Sequence, residues 1–194
     1  MAEKKSIATL ILAAGESKRF GSPKQLALLL NKPLLQHAID AALGSHADSV
    51  SVVLGAHDDS IRKTIDIRNA RMLLCAQWRE GLSASIRTGI QSLPASVDAA
   101  LLMLCDQPLL SAAQIDEIIH RFIAEHKLIV ASKYGDTFGV PALFDKSLFS
   151  ELISLSGDSG ARAVIERHLA TTSFVPIPEA AHDIDTPEDL ARLK

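Results

Sequence analysis

Two cations and one carboxylate, distant along the chain, carry the clearest chemistry in this sequence. Arg19 and Lys24 lie in the stretch Leu12-Ala13-Ala14-Gly15-Glu16-Ser17-Lys18-Arg19-Phe20-Gly21-Ser22-Pro23-Lys24. A guanidinium forks onto phosphate oxygens, and an ammonium offers a compact point charge. Gly15 and Gly21 are free to take backbone angles closed to other residues, and small residues let a backbone come close to a ligand. Exposed N–H groups in such a loop form a concave anion site. Pro23 fixes the backbone just before Lys24. The stretch reads as a phosphate cradle, and a nucleotide is the natural owner of the phosphates. It has neither the G-x-x-x-x-G-K-[ST] spacing of a P-loop nor the G-x-G-x-x-G of a dinucleotide fold. The plainer alternative is a strand-to-helix turn with solvated basic side chains.

Asp106 follows the apolar run Ala99-Ala100-Leu101-Leu102-Met103-Leu104-Cys105. A carboxylate at that strand mouth stands next to the proposed phosphates. Magnesium is usually held by one or two carboxylates plus substrate phosphates, so Asp106 is the expected first ligand. The alternative is a turn aspartate before Pro108. As a metal ligand its charge is expected to be unpaired in the free protein, repelling Asp183 or Asp185. These two come from His182-Asp183-Ile184-Asp185-Thr186-Pro187, where alternation around Ile184 points both carboxylates to one side. The competing role for Asp185 is to help Thr186 cap the last helix.

The loop pattern L-A-A-G-x-S-x-R-x-G-x-x-K resembles the signature of the MobA-like nucleotidyltransferases, most closely the molybdenum cofactor cytidylyltransferases. Five further stretches recur in that family in the same order. They are Gly81-Leu82-Ser83-Ala84-Ser85, Cys105-Asp106-Gln107-Pro108, Gly139-Val140-Pro141-Ala142-Leu143-Phe144, Gly157-Asp158-Ser159-Gly160-Ala161-Arg162 and Asp185-Thr186-Pro187-Glu188-Asp189-Leu190. The resemblance thus runs over essentially the whole chain. One departure is Cys75-Ala76-Gln77-Trp78, where relatives often carry Asn-Pro before the tryptophan.

The resemblance implies transfer of CMP from CTP to molybdopterin carrying molybdenum, with release of pyrophosphate. It also implies magnesium as cofactor, and a recipient molybdoenzyme or its chaperone as partner. It places a metal-binding aspartate at Asp106 and favours Asp185 over Asp183 as the second ligand. The chemistry expected is in-line attack on the α-phosphorus, catalysed by positioning and charge stabilisation. Lys24 would stabilise the transition state, and Arg19 with the loop N–H groups would hold the pyrophosphate. Leu12, Ala13, Ala14, Gly15, Ser17, Gly55, Gly81 and Ser83 are the remaining nucleotide-site residues expected. Ser83 and Ser85 have helix capping as their plainer role. Gln107, Asp158 and Gly160 are expected on the acceptor side, where Asp158 or Ser159 has the plainer role of capping a helix.

Ala14 stands where guanylyl-transferring relatives usually have a second glycine, which favours CTP over GTP. Guanylyl transfer to the same acceptor and nucleotidyl transfer to a sugar or alcohol phosphate are sibling alternatives. A non-catalytic carrier of the finished cofactor is an alternative of another class. A carrier has no need of Lys24 and Asp106, and both are present.

Composition sets the frame for these residues. The chain has 194 residues, of which 47% are hydrophobic and only 4% aromatic, so its core must be built from Leu, Ile, Val and Ala. A net charge of −3 argues against a general nucleic-acid binder. Cys75 and Cys105 show no metal or redox spacing and read as reduced thiols of a cytoplasmic protein. The charges at Glu3, Lys4 and Lys5, followed by only a short apolar run, do not read as a signal peptide. No apolar stretch is long enough to span a bilayer.

Strand and helix patterns alternate along the chain. Strands are expected at 7–12, 50–54, 72–74, 99–104, 128–131, 140–144 and 173–177, the last at an edge because of Pro176. Helices are expected at 34–43, after Asp58 or Asp59, and at 82–93, 112–125, 148–155, 161–169 and after Pro187. Ser111 to Gln114 reads as a capping box, and residues 26–30 as a brief extended segment. This order implies one α/β domain over 1–194, with a three-layer, Rossmann-like nucleotidyltransferase fold and a mostly parallel central sheet flanked by helices. Ligands of such folds sit beyond the carboxyl ends of the strands. That rule brings the 13–24 loop, Gly55, the 75–85 loop and Asp106 to one rim.

Overall fold

The strand before the glycine loop, β1 (Ile7–Ala13), is buried from end to end. Its side chains alternate between two cores: Ile7, Ile11 and Ala13 join one, and Leu10 and Leu12 the other. A strand apolar on both faces belongs in a sheet covered on both sides. That is the arrangement in the structure, a computed structural model describing residues 5–193. Glu3 and Lys4 lie outside the described residues.

After β1 the chain turns through a small hairpin, β2 (Leu28–Leu29) and β3 (Lys32–Pro33), into α1 (Leu34–Leu43). β4 (Ser49–Leu54), α2 (Asp58–Thr64), β5 (Arg71–Leu74), α3 (Leu82–Gln91) and β6 (Ala99–Leu104) follow. Next come α4 (Ala112–Glu125), β7 (Ile129–Tyr134) and β8 (Thr137–Asp145). α5 (Phe149–Ile153), α6 (Arg162–Arg167), β9 (Thr172–Pro176) and α7 (Pro187–Ala191) complete the order.

The main sheet has seven strands in the order β5-β4-β1-β6-β8-β7-β9. β1 pairs in parallel with β4 and β6, whereas β8 runs antiparallel to β6 and β7. The most apolar strand, β6, sits in the middle, and β9 with its proline is an edge, both as the sequence implies. One core packs α1, α2 and α4 against the sheet through Leu35, Ile39, Ile61, Ile115 and Phe122. The other packs α3, α5 and α6 through Ile86, Ile90, Leu152 and Ile165. This is the expected three-layer fold with a mostly parallel sheet.

Local details differ from the sequence reading where tertiary contacts decide. Residues 26–30 are not one extended segment: a 3-10 turn over Lys24–Leu26 precedes β2. α2 is not capped by Asp58 or Asp59; His57 precedes it with φ 61° and no side-chain cap, and Asp58 takes the Arg62 guanidinium at 2.8 Å. The capping boxes of Ser111 with Gln114 and of Thr186 with Asp189 both form. Among the described residues, no helix is long and apolar enough to cross a membrane.

A third, smaller core matters for the site. Ile184 and Leu190 of the C-terminal segment pack on Leu29 of the hairpin and Leu34 of α1. The Ile184 N–H then donates to the Asp106 carbonyl at 2.9 Å. Burying Ile184 thus draws Asp183 and Asp185 to the mouth of β6.

Candidate active site

The parallel pairing of β1 and β6 aligns Leu12 with Leu104. The two strands therefore end together, and the glycine loop and Asp106 emerge side by side. Between them lies a cavity of about 710 Å³. It is lined by Leu12, Ala13, Ala14 and Gly15 with Leu104 and Cys105. Ser17, Arg19, Lys24 and Asp106 supply charged and polar groups, and Trp78, Gly81, Ser85 and Asp158 also line it.

Lys24 is the hub of the charged groups. Its ammonium donates to Asp106 Oδ2 at 2.6 Å and to Asp185 Oδ1 at 2.9 Å. Arg19 reaches the other Asp185 oxygen at 2.9 Å. Burial pulls the Lys24 ammonium toward neutrality, but its two carboxylate partners outweigh that and raise its pKa above the ordinary lysine range. The expectation that Asp106 is unpaired in the free protein is therefore wrong. The rim shared by the glycine loop and β6 brings Lys24 close enough to pair with it directly. Its other oxygen, Oδ1, is buried without a hydrogen-bond partner among the described residues. Asp183 stands close enough to feel this cluster. Partial burial of its carboxyl group and repulsion from Asp106 push its pKa up to about 6.

The loop itself is built by side chains as much as by glycines. The left-handed turn is made by Ser17, with φ 60°, and Gly21, with φ 78°. Gly15 takes no positive φ. The Ser17 carbonyl accepts the N–H groups of Phe20 and Gly21.

Gly55, expected on the rim, does not line the cavity. It lies behind Trp78: a Cβ at Gly55 would stand 2.5 Å from Trp78 Cβ and 2.8 Å from the Ala14 carbonyl. Gly81 has φ +105° and passes against Gly157 and Asp158. Ser83 is no cap: α3 starts after Gly81 with no side-chain cap, and Ser83 Oγ is buried without a partner. Its N–H instead donates to the Gly157 carbonyl at 3.2 Å. Asp158 and Ser159 do not cap α6 either, and Asp158 faces the cavity.

Gly160 packs beside Leu82, and Gln107 is buried away from the cavity with its amide donating to the Ala180 carbonyl at 2.8 Å. Trp78, in the loop expected on the rim, lines the cavity together with Arg79 and Gln25, to which the sequence assigns no role. Arg79 stacks its guanidinium 4.3 Å over the Trp78 ring. A lone tryptophan in a loop at a strand mouth was the available signal for Trp78. Nothing local in the sequence marks Gln25.

Phosphate-sized anions suit the loop side, and a cation suits the carboxylate side. The donor set fits a small divalent ion. Two carboxylates already converge on one positive group, and Asp106 Oδ1 has a free lone pair. No group of three or more His, Cys, Asp or Glu side chains stands ready as a metal cage among the described residues. Magnesium completed by phosphates needs none.

Comparison with known proteins places the chain in a family. The chain is 26% identical over 196 residues to the purine catabolism protein PucB of Bacillus subtilis, covering 93% of this chain and 92% of that protein. It is 31% identical over 137 residues to 2-C-methyl-D-erythritol 4-phosphate cytidylyltransferase of Shewanella amazonensis, covering 57% of that protein. It spans only 25% of the bifunctional protein GlmU of Sorangium cellulosum. Among solved structures, Rv0371c of Mycobacterium tuberculosis superposes with a TM-score of 0.85 at 27% identity, over 97% of both chains. A manganese complex of Rv0371c superposes with a TM-score of 0.81. Molybdopterin-guanine dinucleotide biosynthesis protein A of Archaeoglobus fulgidus, at 16% identity and a TM-score of 0.68, shares the fold. The description of the MobA-like NTP transferase domain matches residues 9–172, and with the lysine, aspartates and glycine loop converging as they do, the chain belongs to that nucleotidyltransferase family.

Proposed function

We propose that this protein transfers CMP from CTP to the terminal phosphate of molybdopterin, releasing pyrophosphate, with magnesium as its metal and the cytoplasm as its compartment. The observation that carries this reading is the bridge of Lys24 between Asp106 and Asp185 at the mouth of the glycine-loop cavity. An acceptor phosphate oxygen attacks the α-phosphorus, the bond to the β-phosphate oxygen breaks, and pyrophosphate leaves in line. That acceptor is largely ionised near neutrality, so no strong base is required.

Asp106 and Asp185 would hold magnesium, which supplies positive charge against the nucleotide oxygens. Lys24, freed from the carboxylates, turns its ammonium to the charge that grows on the α-phosphate. Arg19 and the loop N–H groups hold the leaving pyrophosphate. Fixed donors aimed at developing charge supply most of the rate in such reactions.

The nucleotide preference rests on Ala14. Its carbonyl is held by the Ala56 N–H at 3.0 Å, so its methyl group cannot swing out of the cavity wall. A purine needs more room there than a pyrimidine. The cytidylyl activity named for the Shewanella relative supports the same choice. The acceptor is read from the Gly157-to-Arg162 motif, whose Asp158 lines the same cavity as Lys24 and borders Gly81.

The test is incubation with magnesium, purified molybdopterin and each triphosphate in turn, reading pyrophosphate release. CTP is expected to give the highest turnover efficiency. Equal or better use of GTP would refute the base preference alone. A sugar or alcohol phosphate outperforming molybdopterin would move the acceptor assignment, and no release with any triphosphate would remove the enzymatic reading.

A further inference from the structure

We infer that Gln25 is a positioning residue, which turns the amides of Ala14 and Glu16 into the cavity as phosphate donors. The inference rests on the nucleotide reading of the site and names the group that shapes it. Gln25 follows the catalytic lysine but points away from it, and is only 1% exposed. Its side-chain amide donates to the Ala13 carbonyl at 2.9 Å and to the Gly15 carbonyl at 2.8 Å. Its oxygen accepts the Ser17 hydroxyl at 3.2 Å, and Ser17 Oγ accepts the Lys24 N–H at 3.2 Å. Both donors of this buried side chain, and its oxygen, are engaged by the loop.

The consequence follows from peptide geometry. In a trans peptide the carbonyl of one residue and the N–H of the next point in opposite directions. Holding the carbonyls of Ala13 and Gly15 inward, under the loop, turns the N–H groups of Ala14 and Glu16 outward. Among the described residues, none of the amides of residues 14–19 donates a hydrogen bond outside the helix and strand ladders. Ala14 and Glu16 both line the cavity. A run of unspent amides beside a lysine and an arginine is a phosphate nest. Two N–H donors are needed to pull both carbonyls, and glutamine has them whereas glutamate, of the same shape, has none.

The experiment uses Gln25→Met and Gln25→Glu, with pyrophosphate, CTP and cytidine as probes in calorimetric titrations. Both variants should weaken pyrophosphate and CTP at least ~10-fold, the scale of losing well-aligned bonds to a charged group. Cytidine affinity should be unchanged, a split that a general loss of structure does not produce. Variants that bind pyrophosphate like the wild type overturn the inference and leave the nucleotide reading standing. Should both variants fail to fold, backbone hydrogen exchange of the wild type decides. Pyrophosphate should protect the Ala14 and Glu16 amides, and protection elsewhere in the loop but not at these two overturns the inference. A wild-type protein that binds pyrophosphate but transfers no nucleotide removes the functional reading and keeps the role of Gln25. One that binds neither pyrophosphate nor CTP removes both.

Discussion

Lys24 Nζ lies 2.6 Å from Asp106 Oδ2, and the two side chains are only 15% and 12% exposed. Such a pair is not a solvated surface contact. The same ammonium holds Asp185, which also takes Arg19. Cations suited to a triphosphate and carboxylates suited to a metal therefore neutralise each other in the free protein. A metal ion arriving alone must displace Lys24, and a triphosphate arriving alone must leave carboxylates bare. Together they exchange partners without leaving a charge unpaired.

Asp106→Asn tests the pair from the carboxylate side. In metal-free protein the melting temperature should fall, not rise. The cost should stay below the ~3–5 kcal/mol of breaking a fully buried pair, because Lys24 keeps Asp185 and asparagine still offers an acceptor. Turnover should drop at least ~100-fold, the scale of a lost electrostatic group. Melting curves and pyrophosphate release measure the two effects separately. A folded variant with near-normal turnover would take Asp106 out of the mechanism.

Lys24→Met tests it from the other side. Turnover should fall more than nucleotide affinity, as for a group acting in the transition state. Magnesium affinity of the nucleotide-free protein should rise, because no ammonium competes for Asp106 and Asp185. Calorimetry with magnesium alone reads this directly. An unchanged metal affinity would mean that the ion and the ammonium do not share a site.

The layers of the fold were legible because they follow from periodicity. β6, α1 and the Ser111 capping box are where the pattern puts them. The convergence of residues 14–24, 78–85 and 106 was legible too, because parallel strands end on one rim. What escaped was set by contacts between distant segments. Asp185 comes to share the Lys24 ammonium with Asp106 because Ile184 beside it is buried with Leu29 and Leu34. Ser83 loses its capping role because its backbone is pulled to Gly157. Gln25 acts on carbonyls ten and twelve residues upstream, which no local pattern records.

Asp183 supplies a pH signature. Partial burial of its carboxyl group and repulsion from Asp106 hold its pKa at about 6 in the folded chain, against about 3.9 unfolded. Between those values the folded state binds more protons than the unfolded state. Stability therefore falls as pH rises through this window and stays lower above it. Asp183→Asn removes the charge, so it should raise the melting temperature of metal-free protein above about pH 6. The gain should vanish near pH ~4. Since the residue as a whole is solvent-exposed, screening keeps the gain small. Melting curves in chelator across this range check it, and a gain that grows toward acid pH contradicts the assignment.

Trp78 offers the last test, because it is the sole tryptophan of the chain and lines the cavity. Nucleotide binding should therefore change intrinsic fluorescence without any label. Its position depends on Gly55. An added Cβ there would meet Trp78 Cβ at 2.5 Å and the Ala14 carbonyl at 2.8 Å. Neither atom is the free end of a flexible side chain, so Gly55→Ala must push the Trp78 loop and the glycine loop apart. Forcing a methyl into such a contact typically costs roughly 1–3 kcal/mol. The emission should shift in the absence of ligand, because the ring loses its seat and its stacked Arg79. Nucleotide affinity should fall as well, because Ala14 is part of the base wall. Gly55→Ala protein with wild-type emission and wild-type CTP affinity would show that neither loop depends on this contact.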